Sequence, residues 1–138
     1  MSDPGRRVTP VVRVAPAKLN LTLAVVGRRE DGFHALHSVM APLDLADHLA
    51  LSPAFGPVDR LHVGGAGGAA APDQGPEADN LVLRAIHAAR AAIRAAGDDR
   101  PLPALAIRLE KRIPAAAGLA GGSSDAAAAL DAALEAWG

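Results

Sequence analysis

The sequence has 138 residues, which is the size of one domain, and its formal net charge is −1 at pH 7. This charge and an aromatic content of only 2% argue against a nucleic-acid partner, which needs basic patches or stacking rings. Half of the residues are hydrophobic but 33 are alanine, so we expect a modest core of Leu, Val and Ile. The chain has no cysteine, which excludes disulfides and thiolate metal sites and fits a cytoplasmic location.

The N-terminus and the hydropathy pattern give no sign of membrane targeting. No apolar run reaches the roughly 18 residues of a membrane span, and no secretory signal is expected. We therefore expect a cytoplasmic protein without a membrane partner. Residues 1–10 are polar with two prolines, which predicts a loose N-terminus, and residues 11–138 form the one predicted domain.

Alternating apolar and polar residues predict several strands in the first half of the domain. The pattern covers residues 11–14, 19–26, 37–43 and 48–51. The charged segment 27–32 predicts a turn, and the short connections favour antiparallel pairing. A further strand is predicted over residues 105–110, and Pro114 ends it.

Two helices and a loop are predicted in the second half. Asp79-Asn80 begins a helix with apolar residues at helical spacing, and Gly97 ends it. The glycine- and proline-rich residues 64–78 before it predict a surface loop. The last segment is an alanine-rich helix. One face of this helix carries Ala126, Leu130, Leu134 and Trp137. The order of elements predicts an α+β fold with helices on one face of a sheet.

A glycine-rich segment lies between the last predicted strand and the last helix, an arrangement that can bind an anion. The first amides of a helix lack partners, and the helix dipole places roughly half a positive charge there. Gly118, Gly121 and Gly122 leave room for a phosphate and permit positive φ. Ser123 and Ser124 can cap the helix or offer hydroxyls to a phosphate or its Mg²⁺. A serine-capped glycine linker is the alternative, since the segment fits neither common phosphate-loop template.

Five other residues have side chains that could act at or near such a site. Asp125 is expected to point away from the anion and to complement the helix dipole. Lys18 and Asn20 share one face of a predicted strand, ~6.7 Å apart, so both could meet one ligand, where Lys18 could steady a phosphate or activate a hydroxyl. Phe33 and His34 follow a glycine turn and could hold a planar base. The alternative for Lys18 is a solvated lysine at the end of a strand, and the alternative for His34 is a surface histidine without a ligand.

Four motifs occur in an order that resembles the GHMP kinase superfamily. They are Ala15-Pro-Ala-Lys-Leu-Asn-Leu, Arg29-Glu-Asp-Gly-Phe-His-Ala-Leu, Asp79-Asn-Leu-Val-Leu-Arg-Ala and Lys111-Arg-Ile-Pro-Ala-Ala-Ala-Gly-Leu-Ala-Gly-Gly-Ser-Ser-Asp-Ala-Ala. Within the superfamily, they resemble the kinases that act on a cytidine-diphosphate-linked methylerythritol. The resemblance implies the N-terminal ATP-binding domain of these kinases, a ribosomal protein S5 domain 2-like fold with a mixed or antiparallel sheet and helices on one face.

The resemblance also implies a function and the residues that carry it. The reaction is ATP-dependent phosphorylation of a hydroxyl in the non-mevalonate route to isoprenoid precursors, with Mg²⁺ on the ATP and Ser124 as its contact. Lys18 matches the active-site lysine. Asn20, Phe33 and His34 match substrate-binding positions, with Phe33 in place of the usual tyrosine. The ATP phosphate loop maps to Pro114, Ala115, Ala116, Ala117, Gly118, Leu119, Ala120, Gly121, Gly122, Ser123 and Ser124.

The sequence departs from the family pattern in two respects. Alanines at 115–117 and 120 replace glycines of some members, which narrows the choice of φ. Family members are also much longer, and the resemblance places their catalytic aspartate and C-terminal domain beyond Gly138; Asp125 and Asp131 do not match that aspartate's motif. We therefore expect the N-terminal half of a kinase without full activity, with the C-terminal domain as its natural packing partner. A non-catalytic nucleotide-binding or interaction module is the alternative, and the reading frame beyond Gly138 distinguishes the two.

Overall fold

The computed structural model describes residues 9–69 and 77–138, which form a four-stranded sheet and two α-helices. In chain order the elements are β1 (Val11–Arg28), β2 (His34–Pro53), β3 (Arg60–Gly65), α1 (Leu81–Ala95), β4 (Leu105–Lys111) and α2 (Gly121–Trp137). Two short 3₁₀ turns, Ala66–Gly68 and Glu77–Asp79, lie between β3 and α1. Most of the predicted loose N-terminus, residues 1–8, lies outside the described residues.

The sheet is mixed, with the strand order β1-β2-β4-β3. β1 pairs antiparallel with β2, and β2 pairs antiparallel with β4. β3 runs parallel to its neighbour β4, so the chain between them crosses over the sheet and carries α1. The predicted α+β fold is therefore confirmed.

The first two strands are longer than the sequence pattern predicts. The segments 11–14 and 19–26 are both part of β1, and the segments 37–43 and 48–51 are both part of β2. Register shifts between Pro16 and Lys18, between Asn20 and Thr22, and near Val25 interrupt the pairing without ending the strand. A bulge breaks the alternation of side chains, which explains why each long strand reads as two short ones.

The sequence pattern misses β3 altogether. Arg60–Gly65 has only six residues and ends in two glycines, which the composition assigns to a surface loop. Gly64 and Gly65 instead complete β3, and the Ala66–Gly68 turn follows directly. The rest of that predicted loop, residues 70–76, lies outside the described residues.

Both helices pack on the same face of the sheet around one core. α1 follows its prediction closely: the Asn80 side chain caps it by accepting a hydrogen bond from the Val82 amide at 2.9 Å, and Gly97 follows its end with φ of 79°. The fully buried large side chains include Leu49, Leu51, Ile86, Leu105 and Ile107. No helix in the described ranges is long and apolar enough to cross a membrane.

The buried face of α2 differs from the predicted one. Leu130 and Leu134 are 38% and 46% exposed, whereas Ala129, Ala132 and Ala133 are fully buried. The small alanines let α2 approach its neighbours closely, and the leucines then point outward. The prediction was wrong for these leucines because alanines lie on several sides of the helix, so the apolar residues do not mark a single buried face. Trp137 is buried, as one face of the pattern suggested.

Beyond the sheet, β1 and β2 continue as a two-stranded ribbon of residues 19–28 and 34–45. In the described pairing, this part of β2 pairs with β1 and not with β4. Several apolar side chains of the ribbon are about half exposed or more, among them Leu21, Leu23, Val25, Leu36 and Met40. The predicted turn closes the ribbon with residues 29–33, where Gly32 has φ of 85° and Arg29 pairs with Asp31 at 2.7 Å.

Candidate functional site

The glycine-rich loop, residues 112–120, connects the end of β4 to the start of α2. Ala120 is the residue that precedes the helix, and it has no side chain that can cap it. The Ser124 amide donates the first helical hydrogen bond, to the Ala120 carbonyl oxygen at 3.0 Å. The amides of Gly121, Gly122 and Ser123 therefore have no acceptor within the helix, and Ser123 and Ser124 lie inside α2 rather than at its cap.

Positive φ occurs at one of the predicted positions of the glycine-rich segment and at two positions that were not predicted. Gly118 has φ of 70°, as expected, but Gly121 and Gly122 do not adopt positive φ. Ala116 and Ala120 do, each with φ of 57°, which costs an alanine roughly 1–2 kcal/mol. The alanine substitutions thus leave the left-handed turns of the loop in place and add strain to them.

Gly121 and Gly122 are required for space rather than for φ. A Cβ atom on Gly121 would lie 3.0 Å from Ile113 Cγ2, and one on Gly122 would lie 3.3 Å from Leu81 Cδ1. The first two residues of α2 are therefore packed tightly against Ile113, near the start of the loop, and against Leu81, the first residue of α1. A side chain here would push the free amides away from their positions.

Lys18 contacts the loop directly, as its predicted role requires. Its Nζ atom donates to the Gly118 carbonyl oxygen at 3.1 Å, and its backbone amide donates to the Leu119 carbonyl oxygen at 3.0 Å. An ammonium group has three donors, so the bond to Gly118 leaves two for a ligand. β1 therefore holds the middle of the loop and places a cation beside it.

The other predicted substrate residues lie farther along the ribbon. Asn20 is half-buried like Lys18, with exposed Leu19 between them, and its Oδ1 atom accepts from Ser38 Oγ at 3.2 Å. Phe33 is 73% exposed at the closing turn, next to exposed His34. Arg28, which pairs with His34 next to this turn, lies at most about 34 Å from Lys18 for a straight strand, a distance that the bulges shorten. The structure thus brings Lys18 into contact with the loop, with Asn20 two residues further along the same strand, and Phe33 and His34 form a separate group.

Three charged residues that the sequence analysis did not assign to the site lie buried beneath the loop. Lys111 Nζ donates to Asp47 Oδ2 at 2.5 Å and to Asp125 Oδ2 at 2.7 Å. We call these three residues the Lys111 clamp. Asp125 was expected to point away from the anion and to complement the helix dipole. Its direction relative to an anion stays a prediction, but its partner is Lys111 rather than the dipole, since Asp125 is the fifth residue of α2 and only 3% exposed. Its position on the buried face of α2 explains the difference.

The clamp carries one more negative than positive charge. Burial works against ionised Asp47, but hydrogen bonds from the Ile113 amide, Lys111 and the Arg112 amide outweigh it and lower the pKa of Asp47. Burial likewise opposes the Lys111 charge, yet the two carboxylates raise the pKa of Lys111. For Asp125 burial prevails over Lys111 and raises its pKa to about 6. Asp125 Oδ1 is buried without a hydrogen-bond partner among the described residues.

A sequence signal for the clamp exists in the strand alternation. Leu105, Ile107 and Leu109 point into the core, and Lys111 continues the same phase. Asp47 has the same relation to Leu49 and Leu51. A charged residue at a buried strand position needs a buried partner of opposite charge. The alternation therefore indicates that Lys111 and Asp47 form a pair.

The comparison with known protein families agrees with this geometry. Residues 80–138, which include α1, β4, the loop and α2, match the family described as GHMP kinases N terminal domain. A solved structure of mevalonate pyrophosphate decarboxylase from Streptococcus pyogenes shares the fold, with a TM-score of 0.62 at 14% identity over 94% of this chain and 38% of that one. Over residues 80–138 the chain is therefore similar to the N-terminal domain of the GHMP kinases.

Several similar proteins carry one name. The chain is 51% identical over 117 residues to the 4-diphosphocytidyl-2-C-methyl-D-erythritol kinase of Rhodopseudomonas palustris, which covers 84% of the chain and 35% of that relative. It is 45% identical over 124 residues to the kinase of the same name from Paramagnetospirillum magneticum, covering 90% and 39%. A crystal structure of 4-(cytidine 5'-diphospho)-2C-methyl-D-erythritol kinase matches with a TM-score of 0.63 at 44% identity, covering 92% of this chain and 41% of that one. The chain thus spans well under half the length of these relatives.

Proposed function

We propose that this chain is the nucleotide-binding part of an ATP-dependent kinase that phosphorylates a hydroxyl of 4-diphosphocytidyl-2-C-methyl-D-erythritol, in the non-mevalonate route to isoprenoid precursors. GHMP kinases use ATP as their phosphate donor. The proposed substrate is the one in the name of the relatives given above. The observation that carries the proposal is the uncapped start of α2, which follows a loop held by Lys18.

The loop has the features that ATP phosphates need. Three amides without an acceptor among the described residues, on Gly121, Gly122 and Ser123, lie at the positive end of α2. The absence of side chains on the two glycines keeps the approach to them open. We assign the phosphate contacts to residues 114–124 as a whole. Mg²⁺, when bound with ATP, neutralises charge on the phosphates, and the half-buried Ser124 is the residue we assign to it.

Lys18 is the residue we assign to the reacting hydroxyl. It lies beside the loop with two ammonium donors available, so it can stabilise negative charge that develops between donor and acceptor. Asn20, two residues further along β1, is placed to orient the same alcohol. Phe33 and His34 are assigned to the cytosine at the other end of the extended substrate, where a phenyl ring can still stack although it lacks the tyrosine hydroxyl.

Nucleotide binding is tested by titrating the 138-residue chain with Mg-ATP, followed by NMR and calorimetry. We expect saturable binding with the largest amide shifts in residues 118–123. Gly121→Val should abolish it, because its Cβ atom would collide with Ile113 and displace α2. Gly27→Val is the matched control, since no atom lies within 4 Å of the Cβ position at Gly27. Shifts confined to another surface, or equal affinity in both variants, would contradict the proposal.

Phosphoryl transfer is tested with the chain extended to the length of its relatives. Lys18→Ala should lower turnover strongly in a folded protein, because it removes the cation beside the loop. Activity within a few-fold of the unsubstituted enzyme would make Lys18 a surface residue. Mevalonate and homoserine serve as competing alcohols, and a preference for either would contradict the proposed substrate.

A further inference from the structure

The Lys111 clamp is connected to both ends of the glycine-rich loop. Asp47 Oδ1 accepts hydrogen bonds from the Arg112 amide at 2.5 Å and the Ile113 amide at 2.8 Å, which are the first two residues of the loop. Asp125 lies one turn into α2, just after the loop, and bonds to Lys111 just before it. The loop is therefore closed at its base by a buried ion pair and fastened to β2 by a buried carboxylate.

The clamp also determines where α2 begins. A Cβ atom on Gly121 would lie 3.4 Å from Lys111 Nζ, so the ammonium group packs directly under the first residue of the helix. Gly121 is the first of the three residues whose amides are free. A shift of Lys111 would consequently move the amides that face the proposed phosphates.

Stability alone is a poor reason for this cluster. Apolar side chains of similar volume fill a buried site as well as or better than an ion pair does, and the second aspartate leaves a surplus negative charge. The carboxylate–ammonium–carboxylate arrangement does provide directional bonds that fix the backbone on both sides of the loop. Directional contacts of this kind matter where a site must hold several amides at set positions.

We propose that Asp47, Lys111 and Asp125 are positioning residues for the phosphate loop: they act on the nucleotide through the placement of residues 112–121, without touching it. This inference rests on the proposed nucleotide-binding function. Lys18 supports the loop from β1 at Gly118 and Leu119, and the clamp supports it from β2 and β4 at its two ends.

The test compares two buried aspartates. Asp47→Ala removes the acceptor for the loop amides, and Asp59→Ala removes a carboxylate that is equally buried but accepts from the Leu105 amide at the opposite end of β4. Both variants should lose stability. Only Asp47→Ala should weaken Mg-ATP binding in calorimetry, by roughly 10- to 100-fold, and only it should speed amide hydrogen exchange in the ligand-free loop.

Lys111→Arg keeps the charge and is the second variant, in case Asp47→Ala does not fold. The guanidinium is larger and planar, so it cannot reproduce both contacts of the Lys111 ammonium, to Asp47 and Asp125, without shifting the backbone on either side of the loop. A folded Lys111→Arg chain should therefore still lose nucleotide affinity and loop protection. Wild-type affinity and wild-type exchange in both folded variants would overturn the proposal. If the unsubstituted chain itself binds no ATP, the proposed function fails, and the exchange measurement alone then decides whether the clamp positions the loop.

Discussion

The two ends of β4 are each held by a buried aspartate, but the charges around them differ. At the first end, Asp59 accepts from the Leu105 amide at 2.8 Å and receives both terminal nitrogens of Arg90, at 2.7 and 2.9 Å. At the second end, Asp47 accepts from two loop amides and shares Lys111 with Asp125. The first end is balanced in charge, and the second has one carboxylate too many.

The difference appears in the acid–base properties of the carboxyl groups. Burial opposes ionisation of Asp59, but Arg90, the Leu105 amide and His87 outweigh it and lower the pKa of Asp59. At the other end the pKa of Asp47 is lowered too, but burial prevails for Asp125 and raises its pKa to about 6. The balanced end thus stabilises the fold at neutral pH, whereas the end beneath the loop retains an unfavourable charge. This difference agrees with a role of the balanced end in the fold and with the positioning role that we propose for the Lys111 clamp.

The largest expected effect is at the balanced end. Asp59→Asn should lower the free energy of unfolding at pH 7 by about 2–3 kcal/mol, because Arg90 loses its bidentate charged partner. The Asp59 contribution is present above the unfolded pKa and is lost as pH falls through the lowered folded pKa, so the variant should also be less sensitive to acid. Urea titrations at pH 7 and at low pH measure both effects. Unchanged stability at pH 7 would contradict the stabilising role of Asp59.

Asp125→Asn should act in the opposite direction. The pKa of Asp125, about 6, lies above the ordinary aspartate value of 3.8. Between these two values the folded chain holds more protons than the unfolded one, so ionisation of Asp125 lowers stability as pH rises. The substitution removes this penalty and should raise the free energy of unfolding at pH 8 by about 1–3 kcal/mol. The same urea series from pH 4 to pH 8 checks the sign. A loss of stability at pH 8 would show that ionised Asp125 stabilises the fold, as Asp59 does.

The smallest expected effect concerns the strained alanines that follow the clamp in the loop. Ala116→Gly and Ala120→Gly should each raise stability by about 0.5–1 kcal/mol, because glycine adopts the left-handed conformation without a Cβ clash. Ala115→Gly and Ala117→Gly are the controls, since neither residue has positive φ. Thermal unfolding at fixed pH separates the two pairs. Equal changes in stability at all four positions would show that positive φ does not strain Ala116 and Ala120.

Local sequence patterns were sufficient for the elements with clear signals. The Asn80 cap, the apolar period of α1 and the Gly97 end define that helix, and strict alternation defines β4. The contact of Lys18 with the loop also follows the predicted placement of both in one site. These features depend on residues close in sequence or on side-chain types with few alternatives.

The remaining features depend on tertiary packing. β3 ends in glycines and is recognisable as a strand only from its pairing with β4. The buried face of α2 is not evident from the sequence because alanine occurs on buried and exposed faces alike. The clamp joins residues separated by 64 and 14 positions, so no local window contains it. Its charged members occupy buried positions, and only their pairing in the folded chain makes those positions acceptable.

Trp137 provides a built-in optical signal for these measurements. It is the one tryptophan of the sequence, 8% exposed at the last residue of α2, with its indole nitrogen bonded to the Pro103 carbonyl oxygen at 3.1 Å and Arg90 stacked on its ring at 5.0 Å. The length of α2 puts this ring about 24 Å from the Gly121 amide. Its fluorescence therefore reports whether the helices are docked on the sheet, and it does so independently of whether the distant loop is filled.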